Sequence, residues 1–443
     1  MRFIILLIYH GTDHYIFCIF AEMIKIKLVI TCFLQYAVMG AYSTSLGRYL
    51  VNIGMGDRIG YFYAMMGVVS IVMPAIIGAI GDKWIQAQRL LGICHLSAAV
   101  MMLSAAYYGY LYEADSQFVF LFGLYSLSIA FYMPTISLSN SVILDILSDS
   151  DVDIVKNYSI IRMFGTIGFI SAMLMVDILG MQTNYMQLVA SGIIGILLSL
   201  FTIVLPHCRS KKNQNDKQGL FQFLGLSAFK LFRYRQFAIF LIFSMLLNIC
   251  LQTTNSFANT FFNSFAVVHQ YAHTFGVNHS NILMSFGQMS ETVFMFLLPF
   301  IMRRLNIKTV MTVSMLAWVI HFSLLACGNP GDRMWMFVVA MILYGMAFDF
   351  YSIAGTLFVD EVAGGGMRAT GQGLYMIMTG GFGTMIGTIW AQMTVSCQTI
   401  PMKIAENSYT IGHWSTVWMV FALFAFLICA VFVLIFKPKK VIL

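Results

Sequence analysis

Charge is what this chain has least of. Asp, Glu, Lys and Arg make up only 10% of its 443 residues, where soluble domains carry about a quarter, and 60% of the residues are hydrophobic. That balance excludes a soluble globular protein and points to a polytopic membrane protein. Other signatures are missing too. The eight cysteines (Cys18, Cys32, Cys94, Cys208, Cys250, Cys327, Cys397 and Cys429) form no C-x-x-C pair and lie mostly in apolar runs, so they read as small core hydrophobes and not as a disulfide or metal framework. There is no H-E-x-x-H and no convincing Ser-His set, which argues against an intramembrane hydrolase or any other enzyme. No soluble signalling domain is appended, as a sensor would usually require, and nothing implies a cofactor. Glycines cluster at Gly165, Gly168, Gly371, Gly373, Gly380, Gly381, Gly383 and Gly387, but without the strand-helix context of a nucleotide fingerprint they serve close helix approach and bending.

What is abundant is apolar sequence in lengths that fit a bilayer. Runs of about 20 residues match a ~30 Å hydrocarbon core at 1.5 Å per residue. They fall near 28–50, 58–80, 90–112, 118–146, 160–182, 186–206, 237–262, 280–301, 309–328, 333–359, 369–395 and 414–436, about twelve in all. The net charge of +7 is distributed unevenly around them. Lys25, Lys27, Lys83, Arg89, Lys156, Arg303, Arg304, Lys308, Arg368, Lys437, Lys439 and Lys440 gather on one side, joined by the basic residues of 209–235. Arg48, Arg58, Arg333 and Lys403 occupy the other. Positive-inside asymmetry therefore places both termini in the cytoplasm, and leaves no need for a nucleic-acid partner.

Residues 1–22 stand apart. The apolar stretch 3–8 is too short to span and is broken by His10, Gly11, Thr12, Asp13 and His14, with no signal-peptide cleavage pattern, so this segment is expected to be an over-called start or a disordered tail. A six-helix unit over 23–206 and another over 237–443 flank a polar linker, 207–236, whose Lys211 to Lys217 stretch has the composition of solvated chain. The halves echo each other weakly. Leu34-Gln35 matches Leu251-Gln252, Pro74 matches Pro299 and Phe131 matches Phe348, each pair about half a chain apart. Parallel six-helix repeats are the arrangement of major facilitator transporters, and Gly78-Ala79-Ile80-Gly81-Asp82-Lys83 resembles the start of that superfamily's loop signature, though Trp84 to Gln88 depart from it.

Three ionisable residues, Arg162, Glu291 and Asp349, lie inside these apolar spans. A charge at mid-membrane costs roughly 2.5 to 3.5 kcal/mol on insertion scales, so such residues face a protein interior or a watery cavity and mark function. Helical spacing gives them company. Arg162, Thr166 and Phe169 share one face of the fifth span, and Gln252, Asn255 and Asn259 share one of the seventh. In the eighth span Gln288 and Glu291 are one turn apart, and in the tenth Tyr344, Phe348 and Tyr351 form a stripe beside Asp349. Rings beside amides and carboxylates suit a planar polar ligand, although polar residues also join helices to one another. No metal site is expected. His269, His273 and His279 cluster between the seventh and eighth spans without an accompanying carboxylate or thiolate and read as a solvated loop.

The strings FLQYAVMGAYSTSLGRYL, IRMFGTIGFI, FSMLLNICLQTTNSFANTF, GQMSETVF and YGMAFDFYSIAGTLFVDEV closely resemble the nucleoside:proton symporters of the major facilitator superfamily, the bacterial nucleoside permeases, with similarity from about 24 to 440. The resemblance implies an all-α fold of about twelve transmembrane helices in two six-helix bundles, and a monomeric inner-membrane symporter that imports purine and pyrimidine nucleosides with protons. It implies that Arg162, Thr166, Phe169, Gln252, Asn255, Gln288, Glu291, Tyr344, Phe348 and Asp349 contact the ligand. Glu291 and Asp349 are the expected proton carriers, and Arg162 their charge partner across the interface between halves. A sugar or oligosaccharide:proton symporter of the same architecture is the alternative, distinguished by the base-stacking positions Phe169 and Phe348. His321 departs from the family pattern, standing where an arginine is expected, away from the pocket and with a difference in pH response left open.

Overall fold

The computed structural model describes residues 22–83, 85–148, 154–206, 233–404 and 407–437. Most of the tail 1–22 and most of the linker 207–236 therefore lie outside the described residues. Glu22 is the exception in the tail: it begins the first helix and pairs with Lys25 at 2.7 Å.

The long helices, numbered by span, are α1 (Glu22–Gly40), α2 (Ile59–Lys83), α3 (Ala87–Tyr112), α4 (Phe118–Ser148), α5 (Ile154–Ile178), α6 (Met186–Phe201), α7 (Arg235–Ser264), α8 (Ser280–Met302), α9 (Ile307–Cys327), α10 (Met334–Met376), α11 (Thr384–Gln398) and α12 (Trp414–Ile435). Among the described residues, eleven helices are long and apolar enough to cross a bilayer. The remaining expected span, α8, has 23 residues, long enough to cross, but Asn281, Gln288 and Glu291 interrupt its apolar surface. The all-α reading holds, with one addition: an antiparallel hairpin, β1 (Thr399–Ile404) and β2 (Asn407–Gly412), links α11 to α12.

One boundary differs from the sequence reading. The first span does not run on to residue 50. It turns over Ala41–Ser45, where Tyr42 and Ser45 take three-residue backbone bonds, and a short helix, Leu46–Asn52, follows. Tyr63 holds the turn by donating its hydroxyl to the Ser43 carbonyl. Spans ten and eleven run over Met334–Val362 and Gly371–Gln398, close to the expected bounds. Helical backbone continues from Met334 to Met376, but Gln372 Nε2 donates to Thr356 O at 2.8 Å and to Asp360 Oδ1 at 2.7 Å. Sixteen residues of straight helix would hold Gln372 and Thr356 about 24 Å apart, so the chain doubles back between Asp360 and Gln372, past Gly364, Gly365 and Gly366.

Lipid tails are as apolar as leucine, so helices here associate through van der Waals fit and polar contacts. Within the first six helices α3 packs on α4 and α6, and α2 on α4. Within the last six, α9 packs on α10 and α12, and α7 on α11. A ring cluster of Phe261, Trp318, Phe322, Trp418 and Phe421 ties α7, α9 and α12 together. The two sets of six meet chiefly along α2 with α11 and α5 with α8. Among the described residues the meeting is tightest toward the end remote from the linker. A Cβ on Gly67 would lie 2.6 Å from the Gly381 carbonyl, whereas one on Gly78 or Gly373 would meet nothing within 4 Å.

At that linker-remote end a polar network crosses between the halves. Asp177, whose side chain is fully buried, accepts from Gln182, from His279 Nδ1 at 2.6 Å and from the Asn281 backbone N–H at 3.2 Å. Gln182 Oε1 in turn accepts from Ser280 Oγ at 2.8 Å and Arg48 at 3.1 Å. His279 thus belongs to this junction and not to a solvated histidine cluster; His269 and His273 are exposed. The reason was not local. Its carboxylate partner lies 102 positions away.

Candidate functional site

Between the halves lies a cavity of about 380 Å³, within the usual range for a small-molecule site. Nine of the ten residues singled out in the sequence line it: Arg162, Thr166 and Phe169 from α5, Gln252 and Asn255 from α7, Gln288 and Glu291 from α8, Tyr344 and Phe348 from α10. Each set shares one helical face, which brings its members to the same wall of the cavity. Asp349 is the exception. It sits one position beyond Phe348, turned off the lining, 2% exposed, with Oδ2 buried and unpartnered.

The polar groups are partly committed to one another. Tyr344 donates its hydroxyl to Asn255 Oδ1 at 2.8 Å, which leaves the Asn255 amide hydrogens for a ligand acceptor. Gln252 Nε2 donates to Thr384 Oγ1 at 3.2 Å, leaving its carbonyl to accept, and Gln288 Nε2 donates to Glu291 Oε1 at 3.2 Å. Donors and acceptors thus face one space from four helices, beside the Phe169 and Phe348 rings. A second volume of about 380 Å³ adjoins the first, sharing Leu251, Phe348 and Gly380 and adding Asn248, Tyr351 and Tyr375, so the Phe348 ring lines both.

The expected partnership of Arg162 with the carboxylates is not what this conformation holds. Among the described residues Arg162 makes no ion pair; its guanidinium lies over the Tyr36 ring, 4.2 Å from the centroid. Tyr36, Thr254 and Thr384 are lining residues that sequence reasoning missed. Tyr36 lies within an apolar run whose motif was visible but whose face was not, and Thr384 directly follows the short π-helical stretch Ile377–Gly383, which breaks the regular helical spacing.

His321 is buried, and both ring nitrogens are engaged: Nδ1 with the Ala340 carbonyl at 2.7 Å and Nε2 with Thr254 Oγ1 at 3.0 Å. Thr254 lines the cavity, so His321 does reach the site, at one remove. Replacing it with Phe should leave the Thr254 hydroxyl without its imidazole partner and destabilise the protein by about 1 to 3 kcal/mol, read as a lower melting temperature in detergent. An unchanged melting temperature would show that the two hydrogen bonds contribute nothing net.

Among the described residues no group of three or more His, Cys, Asp or Glu is placed to hold a metal ion, and Cys32, Cys94, Cys250, Cys327, Cys397 and Cys429 are free thiols.

A membrane-spanning helical bundle with a polar cavity at the junction of its halves defines a secondary transporter. The model of the nucleoside H+ symporter family matches residues 23–441, and the chain belongs to that family. It is 39% identical over 421 residues to the nucleoside permease NupG of Escherichia coli K12, covering 94% of this chain and 97% of that protein, and 36% identical over 425 residues to the xanthosine permease of the same organism, covering 94% and 98%. A crystal structure of the nucleoside transporter NupG superimposes with a TM-score of 0.84 at 37% identity, covering 94% of this chain and all of the other. A peptide transporter, POT, shares the fold alone, with a TM-score of 0.69 at 11% identity over 93% of each chain. The fold is that of the major facilitators. As a member of this family the chain is a proton-coupled nucleoside transporter, not an enzyme.

Proposed function

We propose that the cavity between the halves is the nucleoside site, with the base against Phe348 and Phe169 and its edge or the ribose met by Gln252, Asn255, Gln288 and Arg162. One observation carries this: residues from four helices and both halves, chosen by helical face and family resemblance, surround a single space. Glu291, which lines the cavity, takes the proton from cavity water, while Asp349 is a second carboxylate behind the lining. The halves, 23–206 and 237–443, act as two six-helix bundles joined by the linker. They rock about the cavity, and the present conformation opens it toward the linker side. Basic residues on that side support an inner-membrane protein with both termini in the cytoplasm. NupG and the xanthosine permease, by name, act on nucleosides, and we carry both purine and pyrimidine nucleosides over to this site. The chain works as a monomer, with lipid around it and no nucleic-acid partner.

Phe348→Ala should weaken uridine binding by about 1 to 3 kcal/mol, the range for losing a stack between a base and an aromatic side chain. Titration calorimetry on the purified protein measures it. Unchanged affinity in Phe348→Ala, Gln252→Ala and Asn255→Ala together would place the ligand elsewhere.

A further inference from the structure

From the packing of α1 on α5 we infer that Tyr36 is a positioning residue for transport, a platform that holds the Arg162 guanidinium on the first half and aimed into the cavity. The inference rests on the cavity being the nucleoside site. Three features build the platform. The Arg162 charge lies over the Tyr36 ring face at 4.2 Å, within cation–π range. Gly165, one turn on from Arg162, makes room for the ring: a Cβ there would fall 2.6 Å from Tyr36 Cδ2 and 3.0 Å from Cys32 Sγ. Gly168 then lets α5 approach the α1 backbone so closely that a Cβ would come within 2.2 Å of the Phe33 carbonyl oxygen. Both side chains line the cavity.

The chemistry follows from what Arg162 lacks. Among the described residues it has no carboxylate within ion-pair distance, and Glu291 and Asp349 both belong to the other half. A long, unpaired guanidinium would sample many rotamers, at a cost in entropy when a ligand orders it. Stacking on a ring fixes the plane of the guanidinium without consuming its N–H donors. The donors that Arg162 does not turn toward Tyr36 and Cys32 stay available to neutral oxygen acceptors, such as base carbonyls and ribose hydroxyls. Tyr36 therefore acts through Arg162 by its ring face, and its hydroxyl is not required.

The test is a double-mutant cycle on the full-length protein, read as uridine affinity by calorimetry, with melting temperature confirming that each variant folds. Tyr36→Leu should lower affinity about five- to tenfold, the span of a cation–π contact away from bulk water. In an Arg162→Gln background the same change should cost less than about twofold, because the residue it acts through is gone. Tyr36→Phe should stay within about twofold of the parent, and Gly165→Ala, which displaces the ring, should reproduce Tyr36→Leu. Where Arg162→Gln binds too weakly to titrate, the cycle uses Arg162→Lys, which has no planar face to stack and should likewise blunt the effect. An equal loss in both backgrounds, or a loss in Tyr36→Phe as large as in Tyr36→Leu, overturns the inference. In either case Phe348→Ala still reports on the site itself. If Phe348→Ala is silent as well, the failure lies in the placement of the ligand and not in Tyr36.

Discussion

Glu291→Gln is expected to abolish uphill accumulation of nucleoside while leaving exchange across the membrane intact. One proton moving down a potential of 100 mV releases about 2.3 kcal/mol, which supports roughly a fiftyfold concentration ratio for a neutral solute. A glutamine at this position keeps the side-chain shape and can still hydrogen-bond Gln288, but it cannot carry the proton. The internal-to-external ratio of labelled uridine in proteoliposomes should therefore fall from tens toward unity, with counterflow of preloaded uridine retained. Asp349→Asn is expected to do less, because Asp349 sits off the cavity lining with Oδ2 buried. If Asp349→Asn loses accumulation and Glu291→Gln keeps it, the proton follows the buried carboxylate instead.

The second large effect concerns the junction at the linker-remote end. Asp177 receives three hydrogen bonds there, two of them from the other half. Removing it leaves the Asn281 N–H and the Gln182 amide without their acceptor and the Arg48 charge without a nearby carboxylate. Breaking such a buried set costs about 3 kcal/mol or more. That cost falls on the conformation in which the halves touch, so Asp177→Ala should shift the population toward one open at that end, by about a hundredfold in equilibrium constant. Ser256, buried on α7 where its backbone meets Gly47, reports on the opening. With Cys327 and Cys397, both exposed, replaced by serine, a Ser256→Cys reporter should be labelled by a membrane-impermeant maleimide much faster in Asp177→Ala than in the parent. Equal labelling rates would mean that the junction does not hold this end closed.

Much of this architecture was legible from hydrophobic run length, because a bilayer imposes one length on every span and satisfies no backbone polar group. The cavity was legible for a related reason. Polar residues such as Gln252 and Glu291 are costly in lipid, so their helical faces had to converge on something. What escaped was whatever depended on tertiary contact. The first span stops at Gly40 because Tyr63, on another helix, holds the turn after it. Arg162 sits on Tyr36, not on a carboxylate, because Gly165 opens that space and the carboxylates stand on the opposite half. Asp349 stands among the ligand contacts by family resemblance alone, and the one-residue step from Phe348 rotates its side chain by about 100° around the helix and off the cavity lining.

Nucleoside-driven proton movement is the most direct test of the whole account. Protein reconstituted into vesicles containing a pH-sensitive dye is presented with uridine on the outside, without a preset proton gradient. The vesicle lumen should acidify with the parent protein, acidify only at higher uridine concentration with Phe348→Ala, and stay unchanged with Glu291→Gln. Acidification that persists in Glu291→Gln, or uridine entry that moves no protons and follows a sodium gradient instead, would contradict it.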